Sequence, residues 1–565
     1  MSSTYSSVVP DHTPVLIVGG GPIGSGLAIE LRLRGVDVVV VEKSAAVLDG
    51  HPKARANNMR TLEHYRRWGI SDAVREHAWT TRAPHQRLVI AETLLAPPLG
   101  AFPLRYGRHV DESHELAAEP SLSVPQPVLT RILHRRALEL GARLLLGWEV
   151  LSVAQDEERA SATLRAPDGT PHTISSTYLV GCDGPGSLVR SSAGIARAGD
   201  APLCRNMSYV VRSDGYRIAD LTRSSAYDSL GMLAVFNPQA SSIISIPDDE
   251  HWGFGISVQG DHVPSAEEIT ARAQTLLGAP APITVISQSS YLVLTRVARH
   301  YRAGRFFLAG DAAHVCPPTG GHNMNVGMAD AVNLGWKIAA SLQGWGGEAL
   351  LDSYDLERRP IGETVSRCAL ENSRALAAAA ASIRVSDGQA PHETHETHDS
   401  RGRDDEAQRK RRGESLYQLT YAEWNIDGIV LDQRYDASPV VLSDGTDAPA
   451  WSETDYTPLA HPGHRAPHFW LDDGSALYDR LGPGFTLLDL GADPAALARL
   501  TDAAAQAGVP LSVLSLPVDS ARARYPATLT LIRPDQHIAW QGNRIDDALD
   551  VIARVSGRHT VQQQA

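Results

Sequence analysis

The pattern of apolar and polar positions divides the chain into three regimes. In the first, apolar residues come in unbroken runs, Val15–Val18 and Val36–Val41, separated by a segment in which Leu27, Ala28 and Leu31 recur at helical spacing. Unbroken runs of this kind predict strands buried on both faces, with a helix crossing between them. The regime continues with a helix over Gln126–Gly141 (Leu129, Ile132, Leu133, Leu138) and strands at Arg143–Leu146 and Tyr178–Gly181. From about residue 200 to 300, short runs (Ser208–Val211, Met232–Phe236, Ile243–Ile246, Trp252–Val258) alternate with polar turns, which predicts an antiparallel sheet. A helix over Ala266–Leu277 and a strand over Tyr291–Val297 complete that part. The third regime starts near residue 464: strand Phe485–Leu490, helix Pro494–Ala507, strand Leu511–Leu516, a hairpin of Thr528–Ile532 and His537–Trp540, then helix Ile545–Val555. Between the second and third regimes, Leu350–Ala381 reads as one long helix. The polar tract 386–413 reads as a mobile insertion, continued by a linker to 463.

Punctuation between these elements carries the chemistry. The first strand ends in Gly19-Gly20-Gly21-Pro22-Ile23-Gly24 and the second in Glu42, followed by Lys43. A G-x-G-x-x-G between strand and helix, with an acid about 20 residues on, is the dinucleotide fingerprint of a Rossmann-like unit. Gly19 makes the tight turn, Gly21 admits a pyrophosphate to the backbone, and Gly24 lets helix pack on strand. An acid at Glu42 suits ribose hydroxyls and favours NAD or FAD over a 2′-phosphorylated nucleotide. A second turn, Asp183-Gly184, follows the strand Tyr178–Gly181 and places an acid within reach of a sugar hydroxyl. The third and central stretch is Arg305–Lys337. A short strand (Phe306–Ala309) ends at Gly310-Asp311, a loop follows through Pro317, Pro318, Gly320 and Gly321, and a helix begins near Met324. Free N–H groups at that helix start would face whatever occupies the loop. Arg55, Asn57, Asn58 and Arg60 crowd the start of a further short helix, where phosphate binding and an ordinary solvated cap both remain open.

Composition narrows the function. The chain has 565 residues, 43% of them hydrophobic, and a net charge of −13, which disfavours nucleic acid and anionic membranes as partners. The four cysteines are scattered without a C-x-x-C pair, and the N-terminus lacks a signal-peptide pattern, so a cytoplasmic protein with reduced thiols is expected. His392, His395 and His398 lie in the polar tract, which lacks the order that metal ligands need, so no metal is expected.

Together, the G-x-G-x-x-G at Gly19–Gly24, the D-G motif at Asp183–Arg190 and the G-D motif at Gly310–Asp311 resemble the single-component FAD-dependent aromatic hydroxylases (class A flavoprotein monooxygenases). The third regime resembles a thioredoxin-like domain without redox cysteines, which points to the phenol-hydroxylase and dichlorophenol-hydroxylase-like branch. The resemblance implies an α/β fold with a Rossmann-like FAD-binding domain (13–200 and 298–385), an antiparallel-sheet substrate domain (201–297), an insertion and linker (386–463) and a thioredoxin-like domain (464–560). It implies bound FAD, transient NAD(P)H and O2, and hydroxylation of an electron-rich phenolic or related aromatic through a C4a-hydroperoxyflavin. Homo-oligomerisation stays open. As a separate unit, the chain beyond about 460 is expected to be dispensable for the flavin site.

Residue by residue, the resemblance assigns Gly19, Gly21, Pro22, Ile23, Gly24, Glu42 and Lys43 to the ADP half of FAD, and Arg55, Gln126 and Asp183 to its phosphate and ribityl regions. Gly310 and Asp311 would hold the ribityl chain, and Pro317, Gly321, Met324 and Asn325 the pyrimidine edge. In the segment Gly321-His322-Asn323-Met324-Asn325, Asn323 stands where such hydroxylases usually have glycine. Arg55 stands where some phenol hydroxylases carry a carboxylate or histidine proposed to help deprotonate the phenol, so either a base comes from elsewhere or the substrate arrives already acidic. Tyr209, Tyr227, His251 and Tyr291 are candidate polar partners on the substrate wall, although each taken singly suits a structural or solvent-facing role better; with Arg55 they are the candidate catalytic residues. A flavin halogenase is disfavoured because none of the ten tryptophans forms a W-x-W. Another FAD-dependent oxidoreductase, or a silent FAD-binding scaffold, remains as the alternative.

Overall fold

A computed structural model of the chain describes residues 9–47, 50–79, 87–104, 115–221, 230–386, 398–517 and 521–559. The unbroken apolar runs form the middle of the largest sheet. His12–Val18 lies between Pro171–Gly181 and Val38–Glu42, with Phe306–Leu308 and Arg143–Leu146 outside them, all parallel. Val15, Leu16 and Ile17 are completely buried, as a strand covered on both faces must be. Ala160–Arg165 extends the sheet antiparallel to Pro171–Gly181, and Glu149–Gln155 pairs antiparallel to Ala160–Arg165 in turn.

Register decides where function can reside. Val18 is level with Gly181 and next to Val41, and Gly181 is level with Leu308. The three turns at Gly19, Cys182-Asp183 and Ala309-Gly310 therefore emerge side by side at the carboxyl edge of the parallel strands. That edge is where open α/β sheets bind their ligands. Helices Pro22–Arg32 and Asn323–Leu342 cross behind it in close contact. A methyl at Gly26 would meet Met328 Sδ at 2.6 Å, and one at Gly335 would meet Glu30 Cβ at 2.7 Å.

The middle of the chain departs from the expected single antiparallel sheet. One sheet joins His251–Val258, Cys204–Ser213 and Ile283–Val293, all antiparallel. A second joins Ser241–Ile244, Leu230–Phe236, Arg87–Ala91 and Gly100–Pro103, and its pairing of Leu230–Phe236 with Arg87–Ala91 is parallel. Strands from 87–103, expected within the nucleotide unit, thus pair with the strands of the middle region. Their apolar positions (Leu88, Val89, Ile90) are fully buried but sit between segments without helix or strand periodicity, so they carried no signal. Helix Ala266–Leu277 forms as expected, with a complete Ser265/Glu268 capping box.

A second correction concerns the polar tract. His398–Leu419 is a helix, where a mobile loop was expected up to 413. Asp405, Glu406, Arg409, Lys410, Arg411 and Glu414 are exposed, while Leu416 and Tyr417 pack with Leu88, Ile90 and Leu99. A helix polar almost all round gives little periodicity to read. His392 and His395 lie outside the described residues, and the described residues contain no group of His, Cys, Asp or Glu able to hold a metal.

The C-terminal sheet has the order Leu511–Ser515, Phe485–Asp489, Leu529–Ile532, Ile538–Gly542, parallel in the first pair and antiparallel in the others, backed by helices Pro494–Ala507 and Ala548–Val555. It does not stand apart. Arg533 forks onto both oxygens of Glu357 (2.7 and 2.8 Å) and onto Asp535 (2.6 Å), and Lys337 joins Glu357 at 2.6 Å. Arg465 is buried against Glu63. Buried Glu63 and Glu357, on the helices that pack against this unit, thus find their partners on it, which argues against the expectation that the unit is dispensable. A cavity of about 10 Å³, room for one water, lies in the same interface between Arg60, His64, Tyr435 and Asp535.

Candidate active site

At the carboxyl edge, Gly19 takes φ +108°, and a methyl there would collide with the Cys182 carbonyl, so only glycine makes this turn. Gly24 is equally constrained, against the Gly19 carbonyl. Gly21 is different: a methyl there would meet nothing within 4 Å. Gly21 is thus the fingerprint glycine that looks outward. It begins helix Pro22–Arg32 without a side-chain cap or an acid in the first turn, so the N–H groups there are available to an anion. Glu42 accepts the N–H of Gly20 and of Ser44, each at 2.8 Å, which fixes its carboxylate at the rim with lone pairs to spare. Lys43 beside it is exposed.

The neighbouring turns complete the cradle. Asp183 Oδ2 accepts the Val189 N–H, while its buried Oδ1 finds no hydrogen-bond partner among the described residues. Arg190 ties this turn to the next by donating to the Ala312 carbonyl at 3.1 Å. Gln126 begins its helix with a backbone N–H bonded to the carbonyls of Pro52 and Ala54, which anchors the loop carrying Arg55. The Arg55 guanidinium lies 5.5 Å from the centre of the Trp79 ring.

The third turn is held by a chain of buried polar groups that sequence reasoning missed. Asp330 accepts the Gly310 N–H (3.1 Å), His314 Nε2 (2.8 Å) and Arg358 Nε (2.8 Å). His314 Nδ1 faces the Asn323 amide oxygen at 3.3 Å, and the Asn323 amide nitrogen donates to Asp311 at 2.6 Å. Burial raises the Asp311 carboxyl from its ordinary range, with His314 and then Asn323 offsetting part of that rise. Asn323 is therefore a clamp on Asp311, which explains a side chain where similar loops have glycine. Gly310 and Gly327 bring the turn and the long helix together, since a methyl on Gly327 would reach Gly310 Cα at 2.9 Å. Pro317 is buried in the loop, and Asn325 bonds the Ala56 and Gly321 carbonyls and accepts the Asn58 N–H. Helix Asn323–Leu342 also starts without a side-chain cap or a first-turn acid, so its first N–H groups, at Met324 and Asn325 among others, face the loop. His322 is buried, and burial lowers its imidazole to about 4, so it is neutral.

An outward-looking glycine, an orphaned buried carboxylate oxygen and two uncapped helix starts at one sheet edge fit a dinucleotide joined to an electron-rich ring. Residues 12–369 match the family described as FAD binding domain, and residues 459–558 match that described as aromatic-ring hydroxylase, C-terminal. The chain belongs to the FAD-dependent aromatic-ring monooxygenases. It is 32% identical over 567 residues to aklavinone 12-hydroxylase RdmE of Streptomyces purpurascens, covering 95% of this chain and 96% of that one. It is 31% identical over 564 residues to 4-methyl-5-nitrocatechol 5-monooxygenase of a Burkholderia species, covering 94% of each. Among solved structures, the flavin-dependent monooxygenase PieE in complex with FAD and substrate superposes with TM-score 0.85 at 27% identity, covering 98% of this chain and 100% of that one. RebC with reduced flavin gives 0.82 at 29%, with the same coverage.

In this hydroxylase, sheet alternation separates the candidates for the substrate wall. Met207, Tyr209, Val211, Trp252, Phe254 and Ile256 face the core beneath helix Ala266–Leu277. Tyr209 is 1% exposed and tilted against Phe254, so it is a core residue and not part of a wall. His251 is taken up by the Asp248 carboxylate (2.8 Å) in a turn. Tyr227 lies outside the described residues. Tyr291 stays in contention: its hydroxyl accepts the Asn206 amide, and the pair sits on the opposite face with Ser208. His51, unremarked in the sequence, bridges to this face, with Nδ1 3.1 Å from Ser287 and Nε2 3.1 Å from Ser208. Its only prior signal was its place four residues before Arg55. No helix among the described residues is long and apolar enough to cross a membrane.

Proposed function

We propose that this monooxygenase hydroxylates a phenolic ring of a fused or substituted aromatic, bound between the flavin loop and the polar face of strands Cys204–Ser213 and Ile283–Val293. One observation carries the reading. The strand pairing of Arg296 with Val315 ties the end of the substrate sheet to the flavin loop, five residues after Tyr291. Near-full-length relatives named for a polyketide-type and a nitrocatechol substrate support the substrate class.

The roles follow from the geometry. Gly21 and the uncapped start of helix Pro22–Arg32 would take the pyrophosphate, Glu42 the adenosine ribose, and Asp183 Oδ1 and Asp311 the ribityl hydroxyls, with Arg55 and Gln126 bordering the phosphates. The uncapped start of Asn323–Leu342 would stabilise negative charge at the pyrimidine edge of the ring. Bound FAD supplies the redox chemistry, passing electrons from NAD(P)H to O2 and one oxygen atom to the substrate. Buried Pro317 and the packed loop exclude water from the ring edge. Four free thiols and no disulfide among the described residues suit the reducing cytoplasm.

The test is aerobic NAD(P)H oxidation by FAD-loaded protein with a panel of phenols from one to four rings, read with product mass. A substrate-dependent gain of one oxygen atom is expected. Oxidation that no phenol stimulates would refute the assignment in favour of a non-hydroxylating flavoprotein.

A further inference from the structure

Resting on that placement of the substrate, we infer that Ser208, His51 and Ser287 form a proton relay that takes the hydroxyl proton from the phenol and passes it to solvent. Three observations carry the inference. First, His51 is attached to the polar face of the sheet through both ring nitrogens, each 3.1 Å from a serine hydroxyl. A neutral imidazole has one N–H and one lone pair, so a serine on each side makes a continuous path through the ring. Second, the path has two different ends. Ser208 lies on a central strand beside Asn206 and Tyr291, whereas Ser287 lies on the edge strand Ile283–Val293 between exposed Ile286 and Gln288. Third, the loop bearing His51 runs directly to the flavin cradle. Five residues on, the Ala56 carbonyl accepts the Asn325 amide, so His51 lies at most about 18 Å along the backbone from that contact.

The step balances without a co-reactant. The phenol O–H bond breaks and its proton goes to Ser208 Oγ as the Ser208 proton moves to His51 Nε2. The imidazolium then releases its Nδ1 proton through Ser287 to water, leaving a phenolate whose ring is a better nucleophile toward the incoming oxygen. Ser208 would touch the substrate; His51 and Ser287 act through it. Charge around the ring suits an acceptor. Burial, and then Lys53 on the same loop, lower the His51 imidazole from its ordinary range, so it is neutral at pH 7. Arg205 and Arg212, towards the two ends of the central strand, pair with Asp261 and Asp214, and Ile283–Val293 bears no charged side chain.

The experiment compares FAD-loaded wild type with His51→Gln, Ser208→Ala and Ser287→Ala, each checked for flavin content. Two readouts are used: hydroxylation rate against pH with the best phenol of the panel, and the ultraviolet difference spectrum of a bound nitrophenol, which reports phenolate directly. Wild type is expected to lose rate on the acid side as His51 becomes protonated. His51→Gln is expected to lose about 100-fold in kcat at neutral pH, recover as pH approaches the phenol's own pKa, and ionise the bound nitrophenol only at a higher pH than wild type does. Ser208→Ala should follow it. A His51→Gln enzyme with the wild-type profile and phenolate signal overturns the relay, as does a loss equal at every pH. If wild type oxygenates no phenol, the proposed function fails, and the nitrophenol spectrum still decides the relay separately.

Discussion

Replacing Arg533 by Met tests whether the C-terminal unit holds the flavin domain together electrostatically. Arg533 is 1% exposed and lies between Glu357 and Asp535, themselves 0% and 2% exposed. Burial alone would raise the Glu357 carboxyl; Arg533 and then Lys337 outweigh it and hold it at about 2 against an ordinary 4.5. Burial draws Lys337 down to about 8, so it remains a cation at neutral pH. The depression at Glu357 corresponds to roughly 3 kcal/mol of native-state stability. Breaking a buried pair by removing one partner costs about 3–5 kcal/mol, so the two routes agree. The sign follows from the depressed value: the contribution is complete above pH 4.5 and is lost as pH falls toward 2. The Met variant should therefore melt well below wild type at neutral pH, and the gap should shrink in acid. Because Lys337 and Asn333, which also bonds Glu357 (2.7 Å), sit on the helix that begins at the flavin loop, flavin release should accompany the earlier transition. Circular dichroism and flavin fluorescence, recorded together on heating, measure both. Arg533→Lys, which keeps the charge but loses the fork, should fall between. Wild-type melting and flavin release in the Met variant would refute the argument.

Other outcomes follow from the same contacts. Gly21→Ala should leave the apoprotein's stability within about 1 kcal/mol of wild type while abolishing tight FAD binding, because its methyl meets only the ligand space; Gly24→Ala should instead destabilise the apoprotein itself. Asp311→Ala should weaken FAD by about 1–3 kcal/mol, read by flavin-to-protein absorbance after gel filtration; a fully yellow variant would refute the assignment. Asn323→Gly, which frees Asp311, should lower FAD affinity in the same assay by about 1 kcal/mol. Glu423 is raised by burial to about 8, with the Gly320 N–H offsetting part of the rise. Its native-state stability is complete below pH 4.5 and is lost as pH rises toward 8, so Glu423→Gln should raise the melting temperature increasingly over that window. A pH-independent difference would show that Glu423 is ordinary.

What the sequence revealed, and what it hid, separates along physical lines. Helices Ala266–Leu277 and Pro494–Ala507 carry both period and capping signals, and they form within the expected bounds. The three turns were legible because glycine and aspartate at fixed offsets have local steric and hydrogen-bonding reasons to be there. The pairing of Arg87–Ala91 with Leu230–Phe236 was hidden, since its partners lie some 140 residues apart and neither run alternates. His51 was hidden because its importance comes from Ser208 and Ser287, brought to it only by the fold. Tyr209 misled for the complementary reason: aromatic character suits a substrate wall and a core equally, and only the strand's facing decides. Asn323 looked like a defect in a familiar loop until His314 and Asp330 appeared behind it.

The buried polar chain behind the loop explains why a thioredoxin-like unit with no cysteine belongs to a flavin enzyme. Asp311 is clamped by Asn323, which faces His314, which bonds Asp330, which is held by Arg358. Arg358 donates onward to Gln433 and the Tyr435 hydroxyl, and Tyr435 stacks on His537 of the C-terminal sheet at 4.1 Å. Arg533 lies 5.1 Å from the same Tyr435 ring while gripping Glu357, the residue next to Arg358. A helix start that must present bare N–H groups to a ligand cannot be capped by its own sequence, so its position has to be set from behind. Apolar packing alone would leave the Gly310 turn free to slide. Charged hydrogen bonds with a fixed fork geometry specify one position, and their desolvation is tolerable only where every partner is present. Gln433 and Tyr435 of the linker, with Arg533, Asp535 and His537 of the C-terminal unit, supply those partners. Holding the flavin loop in register is therefore the part expected of this unit, and the coupled flavin release of Arg533→Met tests it.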